Sequence, residues 1–322
     1  MSLNINLSVK QAIIEHILSY QELNGTTIDE LQNEPSPLEF MRFCAKNRPF
    51  TVRGGASEWP AVQHWNVEYL KQALGTKLVN VAVTPNGNAD SVVMNPEDGI
   101  TYFVKPLEIE EPFGNFLDYV KDQELGAATT QAVRYAQTQN DNLRGEYSSL
   151  YKEVEMDIAW ARIALGRQPD AVNLWIGNSR SITSLHRDNY ENVYCQVVGR
   201  KHFVLLPPVE MACINEKLLT AATYAQKPST TAVLGAINRV DLQIVPDIPE
   251  EMVPCATWDP DDAMRQCSRF SHLSKPLRVD LNPGDMLYLP ALWYHKVSQS
   301  CSSEGICCSV NYWYDMDFGG SL

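Results

Sequence analysis

The chain is short of the features that mark several whole classes of protein. No apolar run approaches the roughly 18 residues that a bilayer-spanning helix needs. The first residues lack the basic flank and continuous apolar stretch of a signal peptide. Eight cysteines among 322 residues include no C-x-x-C pair, which sets aside a disulfide scaffold and points to reduced thiols. Positive charge is scarce too: 26 Lys and Arg stand against 39 Asp and Glu, a net charge of −13. Broad binding to nucleic acid needs clustered cations to neutralise phosphates, so neither a nucleic-acid partner nor a membrane is expected. Glycine (17) and proline (19) are too few for a collagen-like or low-complexity chain. What remains is a globular protein with 44% hydrophobic residues, expected in the cytoplasm with the nucleus as a further compartment.

Periodicity divides the chain unevenly. Ser8 to Leu23 reads as a helix with a Ser8–Gln11 capping box, one apolar stripe and Gly25 as its stop. Pro37–Lys46, Phe113–Asp122 and Leu150–Gly166 also carry helical spacing, and Phe50–Val52, Leu78–Val83, Ile100–Val104 and Val133–Gln137 read as extended. Pro85-Asn86-Gly87 is a strong turn signal. From Ala171 onward the chain becomes a series of short β-rich runs: 171–176, 192–198, 201–206, 277–281, 286–289, 293–297 and 306–314. Short strands broken by Gly-Arg, Pro-Pro and Asn-Pro-Gly-Asp turns predict an antiparallel sandwich or barrel. The expected organisation is an N-terminal helical region with supporting strands over 1–130 and a β core over 131–322. Residues 207–276, too long for a bare connector, form an insertion in that core. The Cys307-Cys308 pair lies in an apolar run and reads as core packing.

Histidine is rare, at six positions, and two of them stand out. In Leu185-His186-Arg187-Asp188 an extended backbone puts His186 and Asp188 on one face and turns Arg187 away. One imidazole and one carboxylate make two-thirds of the 2-His-1-carboxylate set that holds ferrous iron with open positions. His295, in the strand after the Pro283-Gly284-Asp285 turn, can supply the third ligand. Lys201 shares parity with Phe203 and Leu205. Either it faces the core, where an ammonium needs an anion, or it sits at the strand end with its head in water.

The ordered set H-x-D, G-x-K-x-F-x-L-x-P-P, L-x-P-G-D-x-L-x-L-P-x-x-W-x-H and S-V-N-x-W, from about Ala171 to Trp313, resembles the JmjC-domain oxygenases. Flanking segments such as Asn47-Arg48-Pro49, Pro169-Asp170-Ala171-Val172-Asn173-Leu174-Trp175 and Tyr190-Glu191-Asn192-Val193-Tyr194-Cys195 extend the likeness over nearly the whole chain, toward small members that hydroxylate lysine. The resemblance implies a double-stranded β-helix, a jelly-roll of cupin type with N-terminal helices. It implies Fe(II) on His186, Asp188 and His295, with 2-oxoglutarate and O2 as cosubstrates. Lys201 would hold the distal carboxylate of 2-oxoglutarate with Thr183 and Tyr135, and Asn192 and Asn311 would line the same pocket. Tyr190, Trp313 and Trp175 would line a substrate channel.

The implied reaction is hydroxylation at C3 of a lysine in a developmentally regulated GTP-binding protein, with release of succinate and CO2. An N-methyl-lysine demethylase and a non-catalytic cupin-like binding protein are the competing readings. A homodimer is left open, since only nine residues follow Trp313 where many relatives continue into dimerising helices.

Overall fold

The computed structural model describes residues 7–126, 131–228 and 237–317. The first half runs α1 (Leu7–Asn24), β1 (Asp29–Leu31), α2 (Pro37–Lys46), β2 (Phe50–Val52), α3 (Pro60–His64), α4 (Val67–Leu74), β3 (Leu78–Thr84), β4 (Asn88–Ala89), β5 (Ser91–Met94), β6 (Thr101–Lys105), β7 (Leu107–Pro112), α5 (Phe113–Leu125) and β8 (Val133–Tyr135). The second half runs α6 (Ala159–Leu165), β9 (Ala171–Gly177), β10 (Ile182–His186), β11 (Tyr190–Val198), β12 (Arg200–Leu206), β13 (Lys217–Gln226), β14 (Leu242–Pro246), β15 (Met252–Cys255), β16 (Leu277–Leu281), β17 (Met286–Leu289), β18 (Tyr294–Ser300) and β19 (Cys307–Asp315).

Two sheets make the barrel. One is ordered β1-β2-β17-β11-β19-β9, the other β16-β12-β18-β10-β4. Their inner faces share one apolar cluster: Trp175, Tyr194, Leu287 and Trp313 from the first meet Phe203, Leu205, Val279 and Val297 from the second. Tyr194 and Phe203 meet edge to face at 5.1 Å between centroids. This two-sheet closure is the antiparallel barrel that the strand spacing predicts, and it has the jelly-roll form with added helices that the resemblance implies. The outer face of the first sheet is covered instead. Val193, Cys195, Cys308, Val310 and Tyr312 pack with Phe40, Phe116, Leu117 and Trp160 in the largest core, so the Cys307-Cys308 pair is core packing.

The N-terminal half does more than cover the barrel. β2 pairs with β17, and β4 pairs in parallel with β10. Gly87 makes the second contact possible: it sits at φ +91°, and a Cβ there would fall 1.8 Å from the Arg180 carbonyl oxygen. The sheet β7-β3-β8 delivers Tyr135 to the barrel, where Ala136 bridges Ile176. Gly177 permits that approach, because a Cβ at 177 would lie 2.5 Å from the Tyr135 ring.

The segment 207–276 is largely ordered. β13 pairs with β14 and β15, and in parallel with β6, so it is stitched to the first half. Positions 229–236 of that segment, and 127–130 of the N-terminal region, lie outside the described residues.

Most sequence boundaries hold within a residue or two, and α1 starts at Leu7, one residue ahead of the expected Ser8 cap. The exception is the helix expected over 150–166. It is a 3-10 turn at Tyr151–Glu153 followed by the short α6, ended by Gly166 at φ +66°. Glu153 is drawn inward by Trp65 Nε1 (2.9 Å) and the Tyr69 hydroxyl (2.8 Å), a tertiary demand that breaks the local periodicity. No helix among the described residues is long and apolar enough to cross a membrane.

Candidate active site

Strand register decides which side chains meet inside the barrel. On β12 and β18 the pairs are Lys201 with Gln299, Phe203 with Val297 and Leu205 with His295, so Lys201 and His295 point to one face. Four residues of strand separate them, roughly 13 Å of backbone. On β10, Thr183 pairs with Val297 but His186 pairs with His295, and the register slips between them. That bulge turns His186 inward beside Thr183, two positions of opposite parity. Leu185 goes the other way, into a cluster with Val204, Leu206 and Tyr294. Arg187 is exposed, as the alternation requires.

The three expected metal ligands converge. One donor atom each from His186, Asp188 and His295 lies within 4.8 Å of the others. Asp188 Oδ2 is 3.7 Å from His186 Nε2 and 3.5 Å from His295 Nε2. These spacings are long for hydrogen bonds and suit ligands grouped about a common ion. The far side of each ring is pinned. His186 Nδ1 donates to the Ser184 carbonyl at 2.8 Å and His295 Nδ1 to the Trp293 carbonyl at 3.0 Å. A carbonyl only accepts, so each Nδ1 carries the hydrogen and each Nε2 keeps its lone pair for a metal. Burial, reinforced by His186, lowers the pKa of His295 to about 4, so it is neutral near pH 7, the form that ligates.

The loops that carry the ligands are tied to one another. Leu292 N donates to the Asp188 carbonyl at 2.9 Å. The same turn is held from outside by Asn47, the left-handed C-cap of α2, whose carbonyl accepts from Trp293 Nε1 at 2.9 Å. The Asn47-Arg48-Pro49 segment therefore helps set the position of His295.

Next to the ligands is a cavity of about 410 Å³, counted with its opening. Of the residues expected in the site, Thr183, Tyr135, Asn192, Asn311, Trp175 and Trp313 line it together with all three ligands. Trp175 Nε1 donates to Asn311 Oδ1 (2.8 Å), and Asn311 Nδ2 donates to Asn192 Oδ1 (3.0 Å). Lys201 is buried at 2% exposure and so faces inward. It reaches the cavity through Tyr135, donating from Nζ to the hydroxyl at 3.0 Å, and does not itself stand on the wall. Among the described residues no carboxylate lies within ion-pair distance of Lys201. A buried ammonium answered only by a phenol leaves room for an anionic ligand. Tyr190 is outside the wall but stacks on Trp313 at 4.8 Å, nearly parallel. The Trp313 indole N–H is buried with no hydrogen-bond partner, a donor open to a ligand.

Tyr194, which no motif singles out, also lines the cavity and bonds Ser309 at 2.8 Å. Its parity with Asn192 on β11 is the signal that could have found it. Burial pushes its phenol well up, so it stays protonated.

This geometry is a His-Asp-His group that could hold a metal ion inside a two-sheet barrel, and comparison places the chain among known proteins. The cupin-like domain family matches residues 35–320. The human bifunctional peptidase and (3S)-lysyl hydroxylase JMJD7 is 38% identical over 89% of this chain and 84% of its own length. The lysine-specific demethylase JMJ32 of Arabidopsis thaliana is 35% identical over 91% and 83%. JmjC domain-containing protein E of Dictyostelium discoideum is 30% identical over 89% and 83%. The chain belongs to the JmjC-domain family of cupin-like, 2-oxoglutarate-dependent oxygenases.

Proposed function

We propose that the protein is an Fe(II)- and 2-oxoglutarate-dependent lysyl hydroxylase acting at C3 of a lysine in a protein substrate, a developmentally regulated GTP-binding protein being the expected class. The observation that carries this reading is the grouping of three donor atoms, two of them on pinned imidazoles, in one barrel with an inward ammonium that has no carboxylate partner among the described residues. His186, Asp188 and His295 would hold the metal, and Lys201 with Tyr135 would take the distal carboxylate of 2-oxoglutarate. Thr183, Asn192 and Asn311 would line its chain.

When bound, these groups supply the oxidising power, coupling decarboxylation to succinate and CO2 with insertion of one oxygen atom into a C–H bond. The protein's part is placement. The Ser184 and Trp293 carbonyls fix both imidazoles, so the donors need no rearrangement to meet a metal. The apolar wall of Phe203 and Val297 would keep water from the cosubstrate, and the Tyr190–Trp313 stack, with Trp313 on the cavity wall, would flank a bound peptide.

Lysine specificity is supported by the human relative named as a (3S)-lysyl hydroxylase. The Arabidopsis relative named as a lysine-specific demethylase favours a second reading, attack on an N-methyl group with release of formaldehyde. Mass spectrometry of lysine-bearing peptides from the GTP-binding protein class, incubated with Fe(II), 2-oxoglutarate and O2, decides between them. The expected product is an unmethylated lysine carrying one added oxygen, absent with Asp188→Ala. Loss of methyl from a methylated peptide, with no oxygen retained, would establish the demethylase instead.

A further inference from the structure

Beyond the metal ligands the inner cavity continues into a second, larger groove of about 1370 Å³, counted with its opening. Thr183 and His186 line both spaces. The rest of the groove comes from distant parts of the chain, including Asn80 of β3, Lys105 of β6, Glu108 of β7 and Thr223 of β13. Asp90, between β4 and β5, lies on the same wall at φ +50°. Its carboxylate accepts one hydrogen bond, from Gln137 Nε2 at 3.1 Å. Lys105, the lysine of the groove, is engaged elsewhere by Asp247 at 2.6 Å. No cation lies within ion-pair distance of Asp90 among the described residues. Burial pushes its carboxyl up and the Gln137 hydrogen bond draws it down, while His186, Glu108 and Lys105 are all near enough to be felt electrostatically.

An oxygenase that attacks C3 of lysine must keep the ammonium away from the metal. The charged nitrogen is four bonds past C3, each about 1.5 Å, an extended reach of roughly 5 Å. A metal dication repels the ammonium, and an anion farther out would draw it. We propose that Asp90 binds the ε-ammonium of the substrate lysine, holding the side chain extended past His186 so that a methylene rather than the amine faces the metal ligands. This rests on the lysyl reading above and adds to it the residue that selects the charge.

The test is equilibrium binding of a lysine-centred peptide library to protein loaded with Mn(II) and 2-oxoglutarate, beside the same library centred on norleucine. Norleucine keeps the methylenes and lacks the charge. The wild type is expected to prefer lysine by about tenfold or more. Asp90→Asn should bring the two within about twofold. Asparagine is at home at positive φ, so the fold, read by melting temperature, should be kept. Glu108→Gln removes an equal charge from the same groove and should retain the preference, which separates a contact from the groove's general field. A preference that survives Asp90→Asn, or falls equally with Glu108→Gln, overturns the assignment. Oxygen incorporation is read on the same peptides in a separate incubation with Fe(II), 2-oxoglutarate and O2. Selection through Asp90 without oxidation would sink the hydroxylase reading and leave the assignment standing. Oxidation with selection unchanged in Asp90→Asn would sink the assignment alone.

Discussion

Lys201 and Lys296 lie on neighbouring strands of one sheet and live in opposite surroundings. Lys201 faces the barrel interior, with Phe203 and Val297 beside it, and is answered only by the Tyr135 hydroxyl. Lys296 pairs with Val204 on the outer face, where Asp259 and Asp261 meet its ammonium at 2.7 and 2.8 Å. Burial pulls the Lys296 ammonium down, but the two carboxylates more than offset it and hold its pKa above the ordinary value. The difference separates two uses of charge. On the outer face the protein completes its own ion pairs. On the inner face it leaves a cation open, which is destabilising unless a ligand supplies the anion.

Exchanging each lysine for methionine sharpens that contrast. Lys201→Met removes the partner of a buried carboxylate, a loss of about 3–5 kcal/mol, so 2-oxoglutarate affinity measured by calorimetry should fall at least about 100-fold. Its melting temperature without cosubstrate should hold or rise, because an unanswered buried charge is gone. Lys296→Met should do the reverse. Affinity stays, and stability falls by about 1 kcal/mol, a modest figure because both aspartates are partly exposed. A Lys201→Met protein that melts early and still binds 2-oxoglutarate would dissolve the distinction.

An effect smaller than that of Lys201→Met probes the metal ligands on the same inner face. His295 has a folded pKa of about 4, and its unfolded value is near 6.5. Between these values the unfolded chain binds more protons than the folded one. Metal-free protein therefore loses stability as pH falls through that window, by at most about 1.4 kcal/mol per pH unit from this group. Denaturant melts at pH 7 and pH 5 should show it, and His295→Gln should flatten the slope.

The same contrast explains what was legible in the sequence. Parity on β12 linked Lys201 to Phe203 and Leu205 and left only its direction open, and spacing offered His186, Asp188 and His295 as one set. Most of the β core could be read because each strand is short and punctuated. The β10 bulge could not. Alternation puts Thr183 and Leu185 on one face, and only the pairing with β18 shows that His186 takes the inner position. The outer groove was also invisible, since Asn80, Asp90, Glu108 and Thr223 are brought together by β3, β7, β13 and the parallel contact of β4 with β10. No local pattern records contacts made across that much chain. The broken helix at 151–165 has the same cause, a carboxylate claimed by Trp65 and Tyr69 from far upstream.

In the proposed reading His186, Asp188 and His295 would hold one ferrous ion beside 2-oxoglutarate. Anaerobic titration of the folded protein with Fe(II) and 2-oxoglutarate tests it most directly. A weak visible charge-transfer band is expected that saturates at one iron per chain, is absent with Asp188→Ala and needs far more 2-oxoglutarate with Lys201→Met. A metal-loaded, folded wild type that shows no such band, or an Asp188→Ala protein that shows it undiminished, would contradict it.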